Sequence, residues 1–396
     1  MNTAPNTRNA ALVVLACITA AISPATAQNQ DQSQDQNREQ DNILTPNPAW
    51  DTEWPELEAP FLSDHTQLTS EEDFIKAGES YFSPDGKFII FQAIPVPPEG
   101  EEAGSHYSMY VAAVERDDDG NITGLGTPGM VSSPGSSNTC GWFHPTEPMK
   151  ILFGTTTTAP GGEEVAGYQR ENSRYSWQFP VEMDIMAGEL GMHFVLTDEA
   201  EDRAREHQNR LRQAQDEDPE NAPKLDVSMD DIVSVPMLKE SSVLWEREGY
   251  DAEGSWSPDG RFILYTRLEP GTSNGDIWVY DTTDESHTAL VTADGYDGGP
   301  FFSPDGKSIT YRSDRRGDNL LQVFVARLAF DDDGKITGVD EELQLTDNEH
   351  VNWCPFYTPD GKYLFYATSE VSHGNYEVFA IDATGEYEPE HTPRMR

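Results

Sequence analysis

The chain has 396 residues, 36% of them hydrophobic, enough to bury a sizeable core. Its 71 acidic residues against 26 basic ones give a net charge of −45 at pH 7. A surface of that sign is a poor partner for nucleic acid or for an anionic membrane face, and it keeps a protein soluble.

Residues 1–27 read as a secretory signal: Arg8, an apolar run from Ala10 to Ile22, Pro24, then Ala25-Thr26-Ala27 as a cleavage site. The run falls short of the roughly 20 residues that cross a bilayer, and no other stretch could span one. The expected address is therefore periplasmic or secreted. Cys17 lies within the run, but Leu15 fits a lipidation signal poorly. Cleavage would remove only Arg8 among the charged residues and move the net charge to −46. Residues 28–55 form a polar linker, rich at first in Gln, Asp and Asn, that buries too little to order itself, and 56–396 remain for the folded domain. Trp50, Trp54 and Phe61 could pack on its outside. His65-Thr66-Gln67-Leu68-Thr69 resembles Glu342 to Thr346, an outermost strand, and suggests that the N-terminus closes a ring.

From there one pattern repeats. Ser83-Pro84-Asp85-Gly86-Lys87, Ser257-Pro258-Asp259-Gly260-Arg261, Ser303-Pro304-Asp305-Gly306-Lys307 and Thr358-Pro359-Asp360-Gly361-Lys362 are four clean copies, and Trp142-Phe143-His144-Pro145 is an eroded fifth. Each is a β-turn: Pro presets a corner, Asp bonds back to the backbone and Gly takes the left-handed position. Aromatic pairs such as Phe301-Phe302 precede the turns, and runs such as Phe262-Ile263-Leu264-Tyr265 follow them. Third strands read at Asp276 to Asp281, Val323 to Ala326 and Tyr376 to Asp382, and fourth strands end at Val291-Thr292 and Leu345-Thr346. The steps from Ser257 to Ser303 to Thr358 approach the roughly 40 to 50 residues of a four-stranded blade.

Between the turns, Asp117-Asp118-Asp119-Gly120-Asn121 and Asp331-Asp332-Asp333-Gly334-Lys335 invite a calcium reading. Each lacks an acid at one end of the loop that calcium needs, so both are read as hairpin turns. The second copy is expanded. Gly161 to Ser173 reads as a long loop, Met183 to Ala187 as a third strand, and Thr197 to Gln215 as a solvated helix opened by Asp198 and Glu201 and laced by Glu–Arg pairs four apart. Gly271-Thr272-Ser273-Asn274-Gly275 matches a nucleophile elbow by letter, but a strand follows where a helix is required, so it is a hairpin loop. Cys140 and Cys354 hold equivalent positions of non-adjacent copies and are expected to be free thiols.

These repeats resemble the TolB-type propeller repeats of bacterial envelope proteins, also called WD40-like or PD40 repeats. The resemblance covers the chain from about Thr66 and extends to Gly249-Tyr250-Asp251-Ala252-Glu253 and Gly295-Tyr296-Asp297-Gly298-Gly299. It implies an all-β fold, a β-propeller of four-stranded blades with five recognisable repeats. The ring is either five-bladed or a six-bladed one lacking its last blade, because the chain reaches Arg396 where a fourth strand should begin. The resemblance implies an extracytoplasmic address and much less about a ligand.

Two functions fit. The first is a non-catalytic propeller, a monomer, binding a protein or envelope polymer through its channel mouth and loops. The second is a carbohydrate-active enzyme of the oligogalacturonate lyase type, a similar propeller working at a channel metal. No hydrolase elbow, zinc pair or phosphate loop supports catalysis, and no cofactor is called for beyond a possible channel cation such as calcium. Aligned on the turns, Glu79, Cys140, Glu253, Gly299 and Cys354 share one position of the innermost strand, and Ala77, Asn138, Asp251, Asp297 and Asn352 the position two earlier. Because side chains two apart on a strand point the same way, both rows should ring one mouth. The expected ligand site is Glu79, Asn138, Asp251, Glu253, Asp297 and Asn352, with His350 at its rim. The competing reading has Asp251 and Asp297 lock the blades together.

Overall fold

A computed structural model describes residues 66–98, 100–161, 164–169, 176–214, 227–318, 320–368 and 377–383. The signal segment, the linker with its tryptophans and the C-terminal residues from 384 lie outside them.

The turn chemistry builds the blades. In each clean copy the first hydroxyl donates to the Asp two residues on, as in Ser83 Oγ to Asp85 Oδ1 at 2.8 Å, and accepts the N–H five residues on. Gly86, Gly260, Gly306 and Gly361 all take φ between 67° and 76°. The eroded copy does the same work with a different residue: His144 Nδ1 accepts the N–H groups of Thr146 and Glu147.

Five antiparallel blades result. The first is β1 (Phe74–Phe82), β2 (Phe88–Pro95), β3 (Ser108–Arg116) and β4 (Ile122–Leu125), with the short β5 (Gly129–Met130) also on β3. The second is β6 (Asn138–Phe143), β7 (Lys150–Thr155), β10 (Asp184–Leu196) and β11 (Ile232–Val243), interrupted by a separate hairpin of β8 (Glu164–Gln169) and β9 (Ser176–Pro180). The third comprises β12 (Asp251–Trp256), β13 (Phe262–Leu268), β14 (Gly275–Asp281) and β15 (Ser286–Val291). The fourth comprises β16 (Asp297–Phe302), β17 (Ser308–Ser313), β18 (Gln322–Phe330) and β19 (Ile336–Gln344). The fifth shows three strands among the described residues, β20 (Asn352–Tyr357), β21 (Tyr363–Thr368) and β22 (Glu377–Asp382).

The chain is thus a five-bladed β-propeller, and its core lies between blades. Phe262 and Leu264 of the third blade pack on Ile309 and Tyr311 of the fourth, while Ile263 and Tyr265, on the other face, pack on Leu152 and Ile185 of the second. The same alternation puts Ile90 of the first blade against Phe153 of the second, and Leu364 and Tyr366 of the fifth against Val323 of the fourth. Tyr363 and Phe365, on the fifth blade's outer face, are 46% and 38% exposed. Among the described residues no core cluster joins the fifth blade to the first. Thr66 to Thr69 is not a strand. Leu68 packs on Ile89 and Phe91 of the first blade as Leu345 packs on Leu364 of the fifth, so the segment keeps the packing of an outermost strand without the pairing.

The second blade departs most from expectation. The stretch read as a loop contains β8, with β9 following just after it, and the third strand runs to Leu196, well past Ala187. The helix α1 (Asp198–Ala214) is where the sequence placed it, but Thr197 caps it through Oγ1 and the Ala200 N–H at 3.3 Å. Of the Glu–Arg pairs, Glu201–Arg205 and Glu206–Arg210 form, whereas Arg203 pairs with Asp231. Both Asp-Gly segments are hairpin turns, with Asp117 and Asp331 each accepting two backbone N–H groups. Gly271 to Asn274 is the loop between β13 and β14.

Candidate functional site

Every inner strand carries a β-bulge at the same place. The residue there takes a left-handed conformation in all five blades: Glu79 (φ 43°), Cys140 (53°), Glu253 (59°), Gly299 (58°) and Cys354 (49°). The pairing register slips at each, as between Ala252 and Ser255. Such a conformation is costly for any residue but glycine, and here it recurs with the symmetry of the fold. Its effect is to turn these five positions toward the axis, where they line one cavity of about 20 Å³ together with Arg312. That is room for about one water molecule.

The cavity is closed on one side by aromatic rings. Tyr81, Trp142, Phe301 and Phe356, two residues after the bulge in their blades, meet across the axis. Trp142 lies 4.5 Å from Tyr81, 5.3 Å from Phe301 and 5.9 Å from Phe356, ring centre to ring centre. In the third blade Ser255 holds this position and donates to the Pro300 carbonyl at 2.8 Å.

Charge in the cavity centres on Glu253. It accepts from Tyr296 Oη at 2.7 Å, Thr266 Oγ1 at 2.7 Å and the Gly299 N–H at 2.6 Å, and Arg312 Nη2 stands 3.3 Å away. The Arg312 guanidinium lies 4.1 Å over the Trp353 ring. Glu79 is placed differently: the Cys140 thiol points at it from 3.8 Å, and burial pushes its carboxyl pKa up while Arg312 pulls it down. Burial raises both thiols, Cys354 to about 12, and neither cysteine forms a disulfide.

The second row predicted for this mouth lies elsewhere. Asp251 is fully buried and accepts from Trp245 Nε1 at 2.7 Å, Arg247 Nη2 at 2.8 Å and Arg267 Nη2 at 2.8 Å. Asp297 accepts from Arg315 at 2.8 Å and the Ala293 N–H at 3.1 Å. Asn138 donates to the Tyr107 carbonyl at 2.8 Å and Asn352 to the Leu321 carbonyl at 3.1 Å, each reaching the preceding blade. The first row is itself left-handed, which breaks the two-residue alternation, so it does not point the same way as the row two residues earlier. His350 is half-buried and its N–H donates to Asn348 Oδ1; it does not line the cavity.

Of the predicted site residues the structure therefore brings Glu79 and Glu253 together, while Asn138 and Asn352 bond to the preceding blade and Asp251 and Asp297 tie the segment leading into their own blade to an arginine of that blade. Arg312 was not anticipated. Its only signal is a lone cation within the apolar run Ile309-Thr310-Tyr311-Arg312. Among the described residues no group of three or more His, Cys, Asp or Glu side chains could hold a metal ion, and no helix is long and apolar enough to cross a membrane.

No family model matches the sequence, and no curated protein matches it. Among solved structures the chain is similar to a putative TolB from Agrobacterium tumefaciens, at 15% identity over 78% of this chain and 77% of that one, with a TM-score of 0.41. TolB from Acinetobacter baumannii follows at 17% identity, covering 71% of this chain and 47% of that one, with a TM-score of 0.39. Prolyl oligopeptidase B from Galerina marginata is similar at 14% identity over 79% of this chain and 36% of that one, with a TM-score of 0.38. The chain thus spans less than half the length of the last two.

Proposed function

We propose that the chain is an extracytoplasmic recognition propeller that binds a protein or envelope polymer and performs no chemistry of its own. The observation that carries this reading is on the rim. Strands β10 and β11 grow beyond the second blade and hold Phe194, 78% exposed, in a defined position. Met229, just before β11, is 80% exposed. Both are large apolar side chains left exposed at the same end of the second blade, and exposed apolar surface gathered in one region marks contact sites. A cavity with room for one water and an aromatic plug beside it also favours loops over the axis as the place of contact.

The test is capture from the native envelope fraction by immobilised full-length protein, followed by identification of what is retained. Retention of a discrete protein or polysaccharide supports recognition; no specific retention at physiological salt overturns it. Eliminase activity on uronate oligomers with bound metal would replace it with the lyase reading.

A further inference from the structure

We propose that the outer edge of β10, from Gly191 to Leu196, receives an extended basic segment of a partner protein as an added β-strand. This rests on the recognition reading and narrows it to a protein partner and one mode of contact.

The edge is open for a structural reason. Strand β7 pairs with β10 only from Asp184 to Glu189, and its last tie is the Leu190 N–H to the Met149 carbonyl at 2.7 Å. Beyond that point β10 continues beside β11 alone, as far as Leu196 opposite Ile232. No other strand lies on its free side among the described residues. Backbone groups alternate between the two edges of a strand. Since Leu190 points its N–H toward β7, Met192 and Phe194 point theirs the same way, outward. Two further contacts agree. Pro236, opposite Met192, has no N–H to exchange, and the Thr197 N–H goes to the β11 side, at Asp231 O, 2.8 Å.

The side chains on this edge invite pairing. Met192 is 40% exposed and Phe194 78%, and the same face runs down to Leu190 and Leu238 in the core between the first two blades. Exposed edges are normally blunted by lysine, proline or a bulge; the sequence Gly191-Met192-His193-Phe194-Val195-Leu196 has none of these. The ribbon is also held firmly. A Cβ at Gly129 would stand 1.8 Å from the Pro236 carbonyl oxygen, so β5 seats directly on β11, and the Arg203–Asp231 pair ties α1 to its far end.

Charge selects the occupant. Just beyond Leu196 the chain enters α1 with Glu199 and Asp202 exposed, Lys239 is engaged by Glu189, and the whole chain carries −45. A second copy would bring like charge to like charge. A segment alternating apolar side chains with lysine or arginine would pair its backbone with Met192 and Phe194 and set its cations among these carboxylates.

The test uses the full chain and a fluorescein-labelled Lys-Val-Lys-Val-Lys-Val-Lys-Val peptide, read by fluorescence anisotropy. Saturable binding is expected, weakened about tenfold or more by Met192→Pro, which deletes one outward N–H, and by Phe194→Ser, with melting temperatures unchanged. Alternate N-methylation of the peptide should abolish binding. Equal binding of a Glu-Val repeat, or binding unaffected by both variants and by N-methylation, overturns the proposal. So does a dimer in sedimentation velocity that Phe194→Ser dissociates, which would make a second copy the occupant. If the wild type captures an envelope partner and both variants capture it equally, the edge is refuted while the recognition reading stands.

Discussion

Asp251→Asn should cost the propeller about 3 kcal/mol. In the wild type the Asp251 carboxylate, with no exposed surface, receives hydrogen bonds from two guanidinium groups and an indole. The amide replaces one acceptor oxygen by an NH2 donor aimed at other donors and leaves Arg247 and Arg267 without their counter-charge. Removing one partner of a buried pair costs about 3 to 5 kcal/mol. The lower end applies because the Arg247 and Arg267 side chains are themselves 24% and 17% exposed and water reaches them. At about 2 °C per kcal/mol for a domain of this size, the melting temperature should fall by about 6 °C. Equilibrium unfolding in urea, with scanning fluorimetry beside it, measures this, and the Asp251→Asn/Arg267→Met double variant gives the coupling. A melting temperature within 1 °C of wild type, with loss of a bound partner, would refute the structural role and return Asp251 to a ligand site.

Two further predictions follow from burial. Burial and the nearby Asp251 raise the Asp184 carboxyl pKa to about 6, and its Oδ1 has no hydrogen-bond partner among the described residues. A folded-state value above the unfolded one means the folded state holds the proton longer, so this stability is present below about pH 4 and lost as pH rises through 6. Discounted for the water that reaches this half-buried group, the loss is about 1 to 2 kcal/mol. Asp184→Asn should therefore be more stable than wild type at pH 7 and indistinguishable near pH 4 in urea titrations; a constant difference at both pH values refutes it. The thiols should be inert in the native protein: with Cys354 raised to about 12, and Cys140 raised as well, thiolate is scarce at pH 8. Ellman's reagent should titrate neither thiol in native protein over an hour and both at once in guanidinium chloride; rapid native labelling would contradict the axial packing.

The propeller was legible because its turn chemistry is local. Ser, Pro, Asp and Gly act within five residues, and His144 could be aligned with the serines although it works through a different atom. The site was legible only in part, for a reason equally physical. Four of the five bulge positions are Glu or Cys, which give no hint of positive φ, and Gly299 alone fits that conformation without strain. Extending the strand period through a bulge then placed Asp251 beside Glu253, when they serve different blade contacts. The ribbon was missed because Gly188 and Gly191 break up the run from Asp184 to Leu196, whose strand character comes from pairing with β11.

The aromatic plug gives the sharpest way to decide whether the axis is a core or a binding site. Trp142 touches Tyr81, Phe301 and Phe356, side chains from three other blades, so it acts as a keystone for strands far apart in sequence. Trp142→Ala removes an indole whose neighbours are fixed to bulged strands and can collapse little, which costs about 3 kcal/mol for a half-buried tryptophan. Cavities lined by apolar side chains stay dry and take up small aromatic molecules. Millimolar indole should then restore much of the lost melting temperature in Trp142→Ala and leave the wild type unmoved. If the variant is as stable as wild type, or if indole stabilises both equally, the rings are not packed as a plug and the axis is open to ligands.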